Sequence, residues 1–329
     1  MDSPFRVGLL GAGWIAARHL EVLSARGDAK VVAVCDVDAS RAEHIAPTGA
    51  RVYERWEELL SRERPDAVWV CTPPLAHREA TVAALACGIH VYLEKPIART
   101  QEDAEAIVTA AEQSDAVCAI GYQWRGTDVL DDLTRALEGQ QVGLLLGRNI
   151  GPAISRPWFF DRSQGGGNIL ERGSHQIDLV RAIAGEVVRV QAAASGVLLA
   201  QAHDVRGDIE DAVVLVLQLE SGALATIVLG STRQGLPGLY SIDVAATDAT
   251  LELTLDPDFT LRGVSSGDEV NERSSGHPFE RTIARFIESA RAGDPSRVFC
   301  APKDAARTLA VAIACERALV SGHGTEVRT

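Results

Sequence analysis

The sequence predicts an α/β protein with a doubly wound parallel sheet in its N-terminal part. Its C-terminal part is predicted to be an α+β domain built on a large, mostly antiparallel open sheet. Short apolar runs alternate with stretches of helical periodicity up to about residue 122, which is typical of parallel strands covered by helices. Beyond that residue, longer runs follow one another across turn residues, which favours antiparallel pairing. We therefore predict two domains, residues 1–122 and 123–329.

The elements of the first domain follow from these runs in order. The predicted strands are residues 6–10, 31–35, 67–71, 90–93 and 117–120. Between them, one helix pattern ends at Gly88, and another begins after Thr100, whose hydroxyl suits an N-cap. Strands and helices in alternation predict a parallel sheet.

The second domain is predicted to begin with a loop-rich stretch and a helix and to continue as hairpins. Residues 147–167 are rich in loop-forming residues, and residues 168–184 carry a helix pattern. Residues 212–219 and 223–229 predict one hairpin, and residues 240–246 and 250–255 predict another. Two final helices are expected near residues 279–292 and 303–320.

Composition limits the class of protein. The chain has 329 residues, 46% hydrophobic and 23% charged, as in ordinary globular proteins. A net charge of −13 argues against nucleic-acid binding, which needs clustered basic residues. No apolar run approaches about 18 residues and the start lacks a signal-like segment, so we expect no membrane span and no export. The six cysteines form no CxxC pair, which predicts a reducing, cytoplasmic compartment.

A glycine-rich turn follows the first predicted strand and opens a helix. In the stretch GLLGAGWIA, Gly11 permits a tight turn, Gly13 lets the backbone approach a pyrophosphate, and Ala16 keeps the helix close to the sheet. Asp36 ends the second strand, where a carboxylate can accept hydrogen bonds from ribose hydroxyls and repels a 2′-phosphate. The pattern predicts NAD in preference to NADP, although Arg41 keeps NADP open. A glycine-rich turn without a ligand is the alternative.

Glu94, Lys95 and Pro96 end the strand at 90–93, and the stretch CTPPLAH ends the strand at 67–71. Ligands of doubly wound sheets bind outside the carboxyl ends of the strands, so both stretches are candidates for a ligand edge. An ammonium group there can hydrogen-bond an oxygen that gains or loses charge. The alternative is a solvated lysine at the end of a strand.

An acid and an imidazole share one face of the helix predicted after the triglycine at 165–167. Glu171 and His175 are four residues apart, and Asp178 lies one step further along. An acid beside an imidazole suits a general base that accepts a hydroxyl proton, although the pair is also explained by a helix-surface contact. Without a third convergent His or Cys, the pattern is a poor metal signature.

Taken together, the motifs resemble those of the Gfo/Idh/MocA family of NAD(P)-dependent oxidoreductases. The matching stretches are GLLGAGWIA at 8–16, CTPPLAH at 71–77, EKP at 94–96, GYQWR at 121–125 and GGGNILERGSHQIDL at 165–179. The resemblance implies a Rossmann domain that binds NAD, a lysine (Lys95) between nicotinamide and substrate, and a proline (Pro96) that fixes its direction. It also implies that His175 is the acid-base catalyst. The family usually has Asp four residues before this histidine, where this chain has Glu171.

We therefore predict an enzyme that interconverts a secondary alcohol and a ketone on a sugar, cyclitol or related polyhydroxylated compound by direct hydride transfer. Two alternatives stay open: a redox step that only starts an elimination or glycoside cleavage and regenerates NAD, and a sensor that binds a dinucleotide without turnover. Strands 213–219 and 225–229 are apolar at more positions than a one-sided sheet needs. A homodimer or homotetramer through that sheet is expected, as the resemblance also implies.

The predicted site residues fall into three groups. The catalytic residues are Lys95, His175 and Glu171, and no metal is expected. The cofactor-binding residues are Gly11, Gly13, Trp14, Ile15, Asp36, Arg41, Thr72, Pro73, His77, Glu94 and Lys95. The substrate-binding residues are Lys95, Tyr122, Gln123, Arg125, Arg156, Trp158, Glu171 and His175.

Overall fold

The computed structural model describes residues 3–154, 157–198 and 209–328, and it divides the chain into two compact units. The first unit is drawn from Met1–Gln123 and Phe279–Ala306, and the second from Trp124–Pro278 and Arg307–Thr329. These units differ from the contiguous domains that the sequence predicts, because a segment near the C-terminus belongs to the first unit.

The first unit contains a six-stranded parallel sheet in the order β3-β2-β1-β4-β5-β6, which is the Rossmann arrangement. Its strands are β1 (Phe5–Leu10), β2 (Ala29–Cys35), β3 (Arg51–Tyr53), β4 (Ala67–Val70), β5 (His90–Leu93) and β6 (Cys118–Ile120). Its helices up to this point are α1 (Trp14–Ala25), α2 (Ala39–Ile45), α3 (Trp56–Glu63), α4 (His77–Ala86) and α5 (Gln101–Glu112). The predicted fold class is confirmed, but β3 was not predicted, because a strand of three residues is too short to show periodicity.

Local signals account for the ends of several helices. Thr100 caps α5, and its hydroxyl oxygen accepts the Asp103 N–H at 3.1 Å, as the sequence predicts. Asp38 caps α2 in the same way by accepting the Ser40 N–H. Gly88 has a φ of +71° just after α4, in the left-handed region that glycine adopts without strain. These residues fix where the chain turns back toward the sheet.

The second unit contains a nine-stranded sheet in the order β14-β13-β12-β11-β7-β10-β9-β8-β15. Its strands are β7 (Val142–Pro152), β8 (Val187–Ser195), β9 (Ala212–Leu219), β10 (Leu224–Thr232), β11 (Leu239–Ala246), β12 (Ala249–Asp256), β13 (Thr260–Ser265), β14 (Asp268–Arg273) and β15 (Thr325–Glu326). Both predicted hairpins are present, as β9 with β10 and β11 with β12. The described strands pair antiparallel except for β7 with β10.

The helices of the remaining chain are α6 (Asp128–Ala136), α7 (Arg162–Gly165), α8 (Ser174–Ala184), α9 (Pro278–Ala292) and α10 (Pro302–Ser321). The sequence predicted a loop from residue 147, whereas β7 continues to Pro152. The glycines of β7 hid the strand from sequence analysis. One of them, Gly147, leaves room for α8, because a Cβ there would lie 2.8 Å from the Gln176 side-chain oxygen.

Helix α9 explains the division into units. Its inward residues Ile283, Phe286 and Ile287 are fully or almost fully buried and belong to the core of the parallel sheet. The Phe286 ring packs edge-on against the rings of Trp69 and Tyr92 at 5.1 and 5.5 Å between centroids. The helix was predicted at the right place in the sequence, but periodicity does not say which sheet a helix covers.

Among the residues described, no helix combines the length and the apolar character that a membrane span requires.

Candidate functional site

The glycine-rich turn after β1 has the geometry of a phosphate cradle. Gly11 has a φ of +95°, and a Cβ there would lie 2.7 Å from the Cys71 carbonyl oxygen, so only glycine fits. Gly13 faces open space, because nothing lies within 4 Å of a Cβ built on it. No side chain caps the start of α1, so its first N–H groups are available to an anion. The turn therefore offers both the room and the donors that a pyrophosphate needs.

Asp36 is held in place at the end of β2 by the backbone. Its Oδ2 accepts the Ala12 N–H at 2.8 Å, and its Oδ1 accepts the Asp38 N–H at 2.9 Å. Each carboxylate oxygen keeps acceptor capacity for a further donor, such as a ribose hydroxyl. The Arg41 side chain is exposed and lies 3.4 Å from the Asp38 carboxylate. The carboxylate thus faces the glycine turn, as the sequence pattern predicts.

The other predicted cofactor residues in α1 and after β4 are partly open to solvent. Trp14 is 61% exposed and Ile15 is half-buried in the first turn of α1. The Thr72 hydroxyl is buried and has no hydrogen-bond partner among the residues described. Pro73 beside it is exposed. An unsatisfied hydroxyl next to open space at the glycine turn fits a dinucleotide such as NAD.

Lys95 stands out at the carboxyl end of β5. Every residue from Val91 to Ala98 is buried except Lys95, which is half-buried. The peptide bond between Lys95 and Pro96 is cis. The Lys95 N–H donates to the Glu94 carboxylate at 3.2 Å. The lysine thus lies at the same sheet edge as the glycine turn, since all six strands run parallel.

The buried neighbours of Lys95 include two histidines: His19, for which no role was predicted, and His77, which was predicted to bind the cofactor. His19 lies on the inward face of α1 and contacts the Glu94 carboxylate at 2.7 Å. Its spacing from the buried residues Ala16 and Leu23 indicates this inward face. His77 is fully buried, with one ring nitrogen 3.0 Å from the Pro96 carbonyl oxygen and the other 2.9 Å from that of Thr72. Both nitrogens of the His77 ring therefore lie beside carbonyl oxygens, and its contact with the cofactor stays a prediction.

In the second unit, the residues before α8 form a wide π-helical turn, Ile169–Gly173, in place of the regular helix predicted from residue 168. Such turns are frequent at functional sites. Glu171 is half-buried, whereas every other residue from 165 to 180 is buried. His175 keeps 8% exposure, and its ring packs on Trp124 with centroids 4.6 Å apart. Glu171 is therefore the part of this segment that is most open to a ligand.

Asp178 and Arg125 form a buried ion pair within the second unit. Two nitrogens of Arg125 donate to the two Asp178 oxygens at 2.6 Å each, and the Thr308 hydroxyl also donates to this carboxylate at 3.1 Å. The Arg125 side chain is 10% exposed and that of Asp178 is 1% exposed. Arg125 therefore anchors α8, which carries His175, and its contact with a substrate stays a prediction. Residues 53 positions apart show no sequence signal for such a pair.

The remaining predicted substrate residues differ in their exposure. Tyr122 is buried with 1% exposure, whereas Gln123 and Trp158 are half-buried. Arg156 lies outside the described residues. Their contacts with a substrate stay predictions. Within residues 3–154, 157–198 and 209–328, no group of three His, Cys, Asp or Glu side chains is arranged to hold a metal ion.

Comparisons with known proteins agree with this geometry. Residues 5–122 match the family described as "Oxidoreductase family, NAD-binding Rossmann fold", and residues 145–252 match the "GFO/IDH/MocA C-terminal domain". The chain is 30% identical to the rhizopine catabolism protein MocA of Rhizobium meliloti, over 71% of this chain and 73% of that protein. It is 34% identical to the D-glucoside 3-dehydrogenase of Escherichia coli K12 over 56% of this chain, a match that spans about half (55%) of that relative.

Among solved structures, a levoglucosan dehydrogenase in complex with NADH and L-sorbose has the same fold. The TM-score is 0.85 at 18% identity, with 100% of both chains covered. Both domains of the fold and both family descriptions lead to one assignment. The chain belongs to the Gfo/Idh/MocA family of oxidoreductases, and its N-terminal unit is an NAD-binding Rossmann domain.

Proposed function

We propose that the protein is an NAD-dependent dehydrogenase or reductase that interconverts a secondary alcohol and a ketone on a sugar, cyclitol or related polyhydroxylated compound. The observation that carries the proposal is Lys95, the one half-exposed residue in the buried run Val91–Ala98, at the same sheet edge as the glycine turn. Bound NAD supplies a hydride acceptor in the oxidative direction and, as NADH, a hydride donor in the reverse direction.

The roles of the side chains follow from their chemistry. The Lys95 ammonium donates a hydrogen bond to the substrate oxygen and stabilises the negative charge that develops there. The His175 imidazole accepts the hydroxyl proton during oxidation and returns it during reduction. The Trp124 ring restricts the tilt of that imidazole. The Glu171 carboxylate is open enough to accept hydrogen bonds from substrate hydroxyls, in place of the family's usual Asp.

Polyhydroxylated substrates are supported by the names of the relatives. A D-glucoside dehydrogenase and the rhizopine catabolism protein MocA are among them, and the levoglucosan dehydrogenase structure holds L-sorbose. Preference for NAD over NADP is supported by the Asp36 carboxylate. A cytoplasmic location is supported by six free cysteines, of which Cys87 alone is exposed.

The test is a screen for NAD reduction with inositols, aldoses and their derivatives, followed by variants assayed on the best substrate. We expect Lys95→Ala and His175→Asn each to lower kcat by about 10²–10⁴-fold, with little change in NADH affinity. Lys30→Ala is the matched control, because Lys30 is an exposed lysine in β2. Full turnover by Lys95→Ala would remove this lysine from the mechanism.

The same screen separates the alternatives. A substrate that is consumed without net NADH formation indicates an elimination that begins with a redox step. NADH binding without hydride transfer to or from any member of the panel indicates a sensor. Either result contradicts the proposed dehydrogenase.

We also propose that the nine-stranded sheet pairs with a second copy of the chain. Strand β9 alternates between buried and outward-facing residues, and Val214 and Val216 place apolar side chains on the outward side, beside the polar Gln218. Five large apolar residues on this side of β7, β9 and β10 are each between 39% and 47% exposed: Leu144, Leu146, Val214, Val216 and Leu224. Leu144 pairs with Leu224 in register, and Thr226 lies between Leu146 and Val216. A group of exposed apolar side chains of this kind is typical of an interface.

Light scattering at micromolar concentration tests this association. We expect a dimer or tetramer for the wild type and a smaller species for Val216→Glu, whose charge would be buried without a partner. Val320→Glu is the control, because Val320 is 88% exposed on α10 and lies outside the sheet. A monomeric wild type refutes the proposal.

A further inference from the structure

Two fully buried histidines bracket the main chain of Lys95. On the C-terminal side, the His77 Nδ1 lies 3.0 Å from the Pro96 carbonyl oxygen and 3.3 Å from that of Ile97. The His77 Nε2 lies 2.9 Å from the Thr72 carbonyl oxygen. One ring therefore joins the loop after β4 to the loop after β5.

On the N-terminal side, the link runs through a carboxylate. Glu94 is 4% exposed, its Oε2 accepts the Lys95 N–H at 3.2 Å, and its Oε1 lies 2.7 Å from the His19 Nε2. A Cβ on Gly121 would lie 3.0 Å from the same Oε1, so glycine at this position leaves the carboxylate its space. His19 belongs to α1, whose first turn forms the cradle, and thus connects that helix to the lysine.

Simple filling of the core does not account for these contacts. An imidazole removed from water loses hydrogen bonds, and an apolar side chain of the same size fills space without that cost. Here three ring nitrogens lie within hydrogen-bond distance of oxygen atoms in the loop after β4 and in the stretch after β5 that contains Lys95. These oxygens belong to main-chain carbonyls and to the Glu94 carboxylate, so what the rings hold is the path of the backbone. A neutral His77 ring has one N–H and donates it to one of the two carbonyls at a time.

We propose that His19 and His77 are positioning residues that hold Lys95 against the dinucleotide cradle, His19 through Glu94 and His77 through the Pro96 carbonyl. The inference rests on the catalytic role proposed for Lys95. The two contacts restrain the peptide groups on both sides of the lysine, so the ammonium group points in one direction before a substrate arrives. Placement of this kind matters because a displacement of about 1 Å at a catalytic group costs about 10²-fold in rate.

The two nitrogens of His77 can be tested separately with amide side chains. The Asn amide nitrogen occupies roughly the place of Nδ1, and the Gln amide nitrogen roughly that of Nε2. His77→Asn keeps a donor for the Pro96 carbonyl, and His77→Gln keeps one for the Thr72 carbonyl. We expect kcat close to the wild-type value for His77→Asn and a loss of about 100-fold for His77→Gln, with NADH affinity little changed in both.

His19 offers a second, independent pair of variants. Its Nδ1 has no hydrogen-bond partner in the part of the chain that the structure describes, so one donor at the position of Nε2 replaces the ring. We expect His19→Gln to retain kcat and His19→Leu to lose it by about 100-fold. His90→Asn is the control, because His90 also bonds a main-chain group but lies at the opposite end of β5. Melting temperatures show that each variant is folded.

Hydrogen–deuterium exchange of the peptide covering residues 93–98 tests the hold on the backbone without any assay of turnover. We expect faster exchange in His77→Gln than in His77→Asn, and faster exchange in His19→Leu than in His19→Gln. Exchange at the wild-type rate in both His77→Gln and His19→Leu overturns the proposal. An equal loss of kcat in His77→Asn and His77→Gln also overturns it. Faster exchange with wild-type kcat confirms the contacts and overturns the catalytic role of Lys95, so the two failures are distinguishable.

Discussion

Asp36 permits a quantitative prediction about the choice between the two dinucleotides. Its carboxylate is fixed by two backbone N–H groups, at 2.8 and 2.9 Å, and can accept a hydrogen bond from each ribose hydroxyl. Hydrogen bonds to a charged group contribute at least about 1.5 kcal/mol each, so their loss in Asp36→Ala costs about 3 kcal/mol. We expect the Kd for NADH to rise about 100-fold.

NADPH should respond in the opposite direction. A 2′-phosphate adds a charge of about −2, and at roughly 5 Å in a solvated site its repulsion from a carboxylate is about 1.5 kcal/mol. Removal of the carboxylate should therefore tighten NADPH binding by roughly tenfold. The ratio of the two dissociation constants, measured by titration of protein fluorescence, should shift by about 10³.

Asp38→Asn is the matched control for this experiment. It removes one negative charge two residues away and keeps an oxygen that can accept the Ser40 N–H, as Asp38 does at 3.1 Å. We expect both dissociation constants to stay near their wild-type values. An Asp36→Ala protein that binds NADH as well as the wild type would refute the role of the carboxylate. An equal shift of the ratio of dissociation constants in Asp38→Asn would show that any nearby negative charge has this effect.

Three further sets of variants probe the fold and the cradle. Gly11→Ala should destabilise the protein by about 2 kcal/mol and abolish tight NADH binding. Gly13→Ala should weaken only NADH binding, because its Cβ enters open space. Equal melting temperatures for the two variants would contradict this expectation. Asp178→Asn should lower the free energy of unfolding by about 3 kcal/mol, because it leaves Arg125 buried without its counter-charge. The double variant with Arg125→Met should recover much of this loss in urea unfolding. A double variant that recovers none of it would contradict a stabilising role of the ion pair. Burial lowers the pKa of His90, whose Nδ1 accepts a backbone N–H. Below about pH 6.5 the unfolded chain therefore binds more protons than the folded chain. The contribution of His90 to the stability of the fold is consequently lost as the pH falls. The melting-temperature difference between wild type and His90→Asn should shrink from about pH 8 to about pH 5.5, and a constant difference would refute the assignment.

Local signals in the sequence predicted the parts of the site that depend on local geometry. Gly11 has a positive φ and Gly13 faces open space, and a short glycine pattern in the sequence indicates both requirements. Thr100 and Gly88 marked helix ends because caps act within a few residues. Lys95 was singled out because it is a charged residue at the end of a buried strand, and the role proposed for it came from the family resemblance.

Contacts between distant residues were not predictable in the same way. His77 was placed beside the cofactor because it follows a strand, but its ring turns inward to two carbonyls that no pattern marks. Arg125 was read as a substrate group, although its partner Asp178 is equally charged and equally visible in the sequence. Pairing of this kind depends on tertiary packing, which propensity and periodicity do not contain.

The return of α9 to the parallel sheet has a consequence for biosynthesis. The core around Trp69 and Tyr92 stays open until Phe286 has left the ribosome, so the dinucleotide fold cannot be completed while its first 123 residues are being made. The intervening chain must emerge beforehand, and the nascent N-terminal portion meanwhile displays an apolar surface that chaperones recognise. A gene fragment that stops after β6 would for the same reason yield an aggregating product rather than a portable nucleotide-binding module.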